Sequence, residues 1–414
     1  MTKGEGLVKL RGRLSLGLVI PIVSVAGLLL GAAPVSAAAP VSASAPVSVA
    51  APVSATAPVS VAAPVSATAP VSATVPPDPA DFPAGYTGYH TYAEMLSEMQ
   101  ATVSAHPSIA KLYDLGSTFQ GNHEMWALKI SDNVATDEAE PEVLVECNMH
   151  AREHLTTEMC LYLTQLLTDN YGKKSAVGKR VTKIVNSTEI WIIPMVNPDG
   201  SMYDISGGAF HGWRKNRQTF SYSSKIGIDL NRDWSYKWGC CGGSSSNPAS
   251  ARYRGNAPFQ ATEDQLLRNF ILSRRINGVQ QISEVLNVHS YGQHVLYPYG
   301  YTKTAVPPDM TQDDHNTFVA MAKQMASLNG YHAMQGSQMY IYDGDFIDWA
   351  YGDQHIFGFT WEMYPKWGCK CGGFHPSDSV ITRETTRNRD AALYFFEQAG
   401  CPYGAAGLAS KYCS

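Results

Sequence analysis

Beyond Leu30 the chain lacks any apolar run near the 20 or so residues that a bilayer-spanning helix requires. It also lacks a basic excess. Lysine and arginine number 31 against 36 aspartates and glutamates, a net charge of −5 without a basic stripe. That balance argues against nucleic acid as a partner. The pattern H-E-x-x-H is absent, which excludes the zinc endopeptidases built on it. Residues 38–80 lack helix-compatible spacing altogether, because Pro40, Pro46, Pro52, Pro58, Pro64, Pro70 and Pro76 recur every six residues among Ala, Val, Ser and Thr. Regular proline blocks helix and sheet and favours extended polyproline II. With no large apolar groups to stack, the segment reads as a disordered, semi-rigid linker.

What is present begins with an export signal. Lys3, Lys9, Arg11 and Arg13 precede the apolar stretch Leu14 to Leu30, and Val35-Ser36-Ala37 offers a small-residue cleavage site. Residues 1–37 are thus expected to be a signal peptide, 38–80 a linker and 81–414 one catalytic domain. The expectation is a secreted protein, monomeric, with no stable membrane association after cleavage. Eight cysteines suit an oxidising compartment.

The chemistry is carried by Asn148-Met149-His150-Ala151-Arg152-Glu153-His154, at the end of the apolar run Val143 to Cys147 and at the start of a helical pattern ending near Asn170. His150 and Glu153, three apart where strand turns into helix, can reach one metal ion. His289, in Asn287-Val288-His289-Ser290-Tyr291, stands at the end of another apolar segment and offers a third ligand. Two imidazoles, one carboxylate and an open fourth position describe a catalytic zinc site, in which a bound water reaches a pKa of about 7.

Apolar segments at Met125 to Ile130, Val143 to Asn148, Glu189 to Val196, Glu284 to His289 and Phe357 to Glu362 read as strands. Tyr92 to His106, His154 to Asn170, Ala261 to Ile276, His315 to Leu328 and Ser379 to Ala399 read as helices, and Asn197-Pro198-Asp199-Gly200 as a turn. This alternation predicts an α/β fold: a single domain with a central mixed, mostly parallel, twisted β-sheet flanked by helices on both faces. Ligands of such sheets bind beyond the carboxyl ends of the strands, where His150, His289 and Glu362 all fall.

Further motifs follow: Trp213-Arg214-Lys215-Asn216-Arg217, Gly227 to Trp234, Met339-Tyr340, Ile347-Asp348-Trp349 and Phe359-Thr360-Trp361-Glu362. With the zinc motif they give the chain, from about Tyr86 to about Gly400, a resemblance to the zinc metallocarboxypeptidases, the carboxypeptidase A/B-like family. The resemblance implies a one-zinc exopeptidase acting on peptides and proteins with a free C-terminus. It makes Glu362 the general base and later acid, and Arg214 the oxyanion donor. Asn231 and Arg232 hold the terminal carboxylate, Arg152 contacts an upstream carbonyl, and Tyr340 closes over the substrate, with Tyr342 a near neighbour. Two alternatives keep the fold: a zinc amidohydrolase acting on cell-wall or γ-linked peptides, and a non-catalytic binding module. The family often carries a folded inhibitory pro-domain, for which residues 38–80 provide no sequence.

The resemblance also puts Ile347 on the floor of the side-chain pocket, which favours hydrophobic and aromatic C-terminal residues. Asp343 and Asp345 depart from that apolar pattern. Asp345 either meets a basic side chain at the pocket wall, or both aspartates are surface turn formers. Among the cysteines, Cys401 and Cys413 are expected to pair. Cys240-Cys241 and Cys369-x-Cys371 sit in similar Trp-Gly-Cys loops, expected to meet and cross-link, or else to hold a structural zinc. Cys147 and Cys160 are expected to be buried free thiols. His154 stays outside the ligand set, and His294, His315, His332, His355 and His375 show no partner spacing.

Overall fold

The protein is described by a computed structural model covering residues 81–413; the signal and linker assignments lie outside the described residues. An eight-stranded sheet has the order β1-β2-β4-β3-β7-β10-β8-β9. Its strands are β1 (Ala110–Ser117), β2 (Glu124–Ile130), β3 (Glu142–Cys147), β4 (Glu189–Ile193), β7 (Ile282–Ser290), β8 (His294–Tyr297), β9 (His332–Gln335) and β10 (Phe357–Met363). A separate hairpin pairs β5 (Arg275–Ile276) with β6 (Val279–Gln280). The central strands β4, β3, β7 and β10 run parallel, and antiparallel pairs flank them.

Central parallel strands are covered on both faces, so their sequences are apolar on both sides. In β3, Val143, Val145 and Cys147 face one core while Leu144 faces the other. In β4, Ile190 and Ile192 oppose Trp191 and Ile193 in the same way. The first core is closed by α1 (Tyr92–Ala105), α2 (Leu155–Asn170), α3 (Ala176–Val185), α6 (Gln312–Asn329) and α9 (Arg389–Gln398). The second is closed by α5 (Thr262–Ser273), α7 (Phe346–Gly352) and the segment around Ile228, Leu230 and Trp234.

Three expected elements differ. The helix expected over Ala261 to Ile276 stops at Ser273, and Arg275 and Ile276 turn into β5. The Asn197 to Gly200 turn opens a helix, α4 (Pro198–Asp204), because Pro198 suits the first helical position and the Asn197 side chain accepts from the Gly200 amide at 3.0 Å. Gly200 is required there: a Cβ would lie 2.6 Å from the Lys215 carbonyl and 2.9 Å from the Ala151 side chain. The final helix is split into α8 (Ile381–Arg387) and α9 at Asn388, whose side chain binds Asn329 and Tyr331 across the core.

The cysteines pair locally. Cys147 and Cys160 are not free thiols: they join the end of β3 to α2, with Cα atoms 6.3 Å apart. The Trp-Gly-Cys loops do not cross-link, since Cys240 bonds to Cys241 and Cys369 to Cys371. Asp343 Oδ2 takes the amides of Cys241 and Gly242, holding the first loop near residue 343, while the second lies beside Gly292. Those bonds leave no thiolate for a structural zinc. Cys401 and Cys413 pair as expected.

Glu284, on β7, is fully buried with neither carboxylate oxygen partnered, and burial holds its carboxyl well above the usual range. A carboxyl raised in the folded state contributes stability below its unfolded pKa and loses it as pH rises, at about 1.4 kcal/mol per pH unit until the folded value is passed. Glu284→Gln should therefore gain on the wild type between pH 5 and pH 8. Thermal melts at both ends of that window test this, and a Tm gap independent of pH contradicts it.

Candidate active site

The site lies at the carboxyl ends of β3, β7 and β10. Register sets it: β10 pairs β7 with Glu362 opposite His289, and β3 pairs β7 with Cys147 opposite Val288. After Cys147 the chain leaves the sheet through Asn148 at φ 55°, a left-handed conformation that asparagine tolerates. The Asn148 amide donates to Thr156 Oγ1 at 2.9 Å, which fastens this turn to the first turn of α2. His150 and Glu153 are thereby aimed at His289.

Glu153 stands between the two imidazoles. Its Oε1 lies 3.0 Å from His150 Nδ1 and its Oε2 2.9 Å from His289 Nδ1. All three side chains are buried. Burial alone would raise the Glu153 carboxyl, but His150 and His289 outweigh it and hold it well below the usual range. Burial, then the neighbouring His150, lowers His289 to about 4, so its imidazole is neutral at pH 7. An ionised carboxylate and a neutral imidazole are the protonation states that zinc ligation needs, and the trio fits one zinc ion, the cofactor of this site.

Outer partners fix the ligands. His150 Nε2 meets Asp229 Oδ1 at 3.2 Å, the Ser290 amide donates to Glu153 Oε2 at 3.0 Å, and His289 Nε2 lies 3.4 Å from Asn231 Nδ2. Asp229 also receives Arg214, Nε to Oδ2 at 3.0 Å and Nη2 to Oδ1 at 3.3 Å. Against the cost of burial, Arg214 and His150 keep Asp229 well below the usual carboxylate range. Asp229 is the main functional residue that sequence reasoning passed over. Its only signal was the company of Asn231 and Arg232.

A cavity of about 610 Å³ opens on this floor, lined by Arg152, Glu153, Arg214, Tyr340 and Glu362 and by Tyr291, Met339, Trp367 and Phe374. Glu362 is only partly buried, yet loss of solvent, followed by the charge of Glu153, raises its carboxyl well above the usual range. A cation on the trio pulls in the opposite direction. Arg232 is buried, donates from Nη2 to the Tyr340 hydroxyl at 2.9 Å, and keeps an unpartnered Nε. Asn231 Oδ1 accepts from the Phe346 amide at 2.9 Å, which turns its Nδ2 towards the site. Arg152 lies over the Phe374 ring at 3.8 Å and donates to the Gly212 carbonyl at 3.2 Å.

Asp343 and Asp345 are not surface turn formers, since both are buried. Asp345 caps α7, accepts from the Asp348 amide at 3.4 Å, and lies 3.9 Å from Arg232 Nη1. Burial pushes its carboxyl up to about 6, against the pull of Arg232. Ile347 is fully buried against Gly358 on β10. Neither Ile347 nor Asp345 is among the residues that line the cavity. His154 does not join the trio of His150, Glu153 and His289; it pairs with Asp204. His375, expected to lack a partner, shares Asp204 with it.

Comparison with known proteins gives the class. The family model described as zinc carboxypeptidase matches residues 95–391. A zinc carboxypeptidase of Saccharothrix mutabilis subsp. capreolus is 44% identical over 321 residues, 78% of this chain and 72% of that one. Carboxypeptidase A2 of Mus musculus is 31% identical over 281 residues, 67% of this chain and 63% of its own length. The bovine thrombin-activatable fibrinolysis inhibitor, solved with a tick carboxypeptidase inhibitor, superposes with a TM-score of 0.64 at 24% identity, covering 75% of this chain and 97% of that one. At that identity the likeness concerns the fold. The chain belongs to the zinc carboxypeptidase family.

Asp229→Asn should weaken zinc binding roughly 10–100-fold, the usual cost of losing such an outer partner. Competition against a graded chelator series measures it, with restoration of activity by added zinc as the control. Unchanged affinity would remove Asp229 from the metal site.

Proposed function

We propose that this enzyme is a secreted exopeptidase that releases the C-terminal residue of peptides and proteins, its catalytic domain spanning residues 81–414. The observation that carries the reading is Arg232. It is a buried cation within the site, matched by neutral oxygens and a carboxylate only at 3.9 Å, with one donor unpartnered. A substrate's terminal carboxylate is the group such a guanidinium lacks, and Asn231 Nδ2 adds a neutral donor beside it. An endopeptidase would have no use for that charge. The basic and apolar opening of the sequence and the four disulfides support export of a chain bearing a signal at 1–37 and a spacer at 38–80.

Zinc, when bound, supplies a Lewis acid for the scissile carbonyl. The Glu362 carboxylate takes a proton from the attacking water and delivers it to the departing nitrogen, a single group acting in both directions. Arg214, braced by two bonds to Asp229, points its remaining nitrogen, Nη1, towards His150 and the cavity, where oxyanion charge grows. Tyr340, 40% exposed and already hydrogen-bonded to Arg232, is able to cover the bound carboxylate.

Peptides with an amidated C-terminus should be very poor substrates, since an unmatched buried donor can cost up to about 10⁴-fold in kcat/KM. Equal cleavage of free and amidated peptides would refute the exopeptidase reading and leave the zinc site intact. Asp345 bears on specificity. Its carboxylate is engaged by the α7 cap and by Arg232, so Asp345→Asn should lower release of C-terminal Phe and Lys by similar factors. A loss confined to Lys would instead make Asp345 a pocket wall for basic side chains.

A further inference from the structure

A second set of metal-ligand side chains is built from the residue that follows the first. His154 Nε2 and His375 Nε2 approach the same atom, Asp204 Oδ2, at 3.0 and 3.1 Å. The three ligand atoms lie within 4.8 Å of one another. The plan repeats that of the catalytic trio, in which two imidazole nitrogens converge on one carboxylate at 3.0 and 2.9 Å. The three residues come from separate stretches of chain: the N-cap of α2, the end of α4 and the loop before residue 378.

The surroundings orient these groups as ligands. Ser201 Oγ lies 3.3 Å from His154 Nδ1, so an Nδ1 proton donated there leaves the Nε2 lone pair free. The Trp213 amide occupies Asp204 Oδ1, which leaves Oδ2 as a single-atom ligand. Phe210 stacks on His375 at 3.9 Å, and Phe82 meets His154 edge-on at 4.9 Å. No lysine or arginine is paired with Asp204 among the described residues, whereas the acidic group Asp137, Glu142 and Glu189 already holds Arg274 and Lys129. Asp204 is fully buried and His154 nearly so, while the His375 side chain is 20% exposed, which gives the centre an edge on solvent.

We infer that His154, Asp204 and His375 form a second divalent-metal site of zinc type, distinct from the catalytic one. Two imidazoles and one carboxylate suit zinc and its borderline neighbours rather than calcium or magnesium, which prefer oxygen. An ion there would clamp the loop of His375 to the start of α2. That loop carries Trp367 and Phe374, which line the substrate cavity, so the second ion stabilises the cavity wall and takes no part in bond cleavage.

The test is metal stoichiometry on the purified enzyme saturated with zinc, by elemental analysis after gel filtration and by calorimetric titration. Wild type should hold two zinc ions and His375→Gln one, the glutamine keeping a hydrogen bond to Asp204 but ligating zinc poorly. His289→Ala should keep the second ion while losing the catalytic one, so a failure of the catalytic assignment and a failure of this one give different counts. With the catalytic site already filled, further zinc should raise the Tm of wild type and leave that of His375→Gln unmoved. A single zinc in saturated wild type that His289→Ala removes and His375→Gln retains, or an equal zinc response in His375→Gln, overturns the proposal. The cluster would then be a hydrogen-bonded His-Asp-His group only.

Discussion

The parallel pairing of β3, β7 and β10 is the constraint on which the site depends. Because side chains alternate along a strand, a slip of one residue would turn Glu362 or His289 to the opposite face. The observed register sets Glu362 beside His289 and ends β3 at Cys147, one turn short of His150. Backbone ladders buried between two apolar cores hold that register, so chemistry at the strand ends inherits the rigidity of the sheet. The Cys147–Cys160 bond fastens α2 to the same strand end and fixes the angle at which Glu153 enters.

Charge is the second organising term. Glu153, Asp229, Glu362 and Asp345 crowd a small, poorly solvated volume with Arg214 and Arg232 between them. Each guanidinium is anchored on one side and open on the other: Arg214 by Asp229, Arg232 by Asn231 and Tyr340. Such preorganised donors cost no reorganisation when negative charge develops beside them. Loss of solvent, then the charge of Glu153, raises the carboxyl of Glu362, while positive charge on its neighbours pulls it down.

Where local reading failed, the cause was long-range contact. Cys147 and Cys160 looked like core thiols because both lie in apolar segments, and only the packing of α2 on β3 brings them within bonding reach. The two Trp-Gly-Cys loops look alike in sequence, yet Asp343 draws one of them away to the segment before α7. Asp345, two residues from an expected pocket floor, is spent on a helix that sequence reading did not foresee. That helix, α7, is only seven residues long, too short to leave a clear period. His375 shows no ligand spacing with any histidine, because its partners lie about 170 and 220 positions away in sequence and are joined by folding alone.

The sequence alone determined the α/β alternation, the metal-ligand trio His150, Glu153 and His289, and the family. These follow from short-range patterns: apolar runs that end in ligand residues, and motifs whose order is preserved along the chain. Tertiary structure decided the rest. It joined Asp229 to both His150 and Arg214, placed Asp345 against Arg232, paired the cysteines locally, and gathered His154, Asp204 and His375 around one oxygen. The division has a physical origin. Periodicity and ligand spacing are properties of neighbouring residues, whereas a buried charge must be neutralised by whichever opposite group the fold brings near.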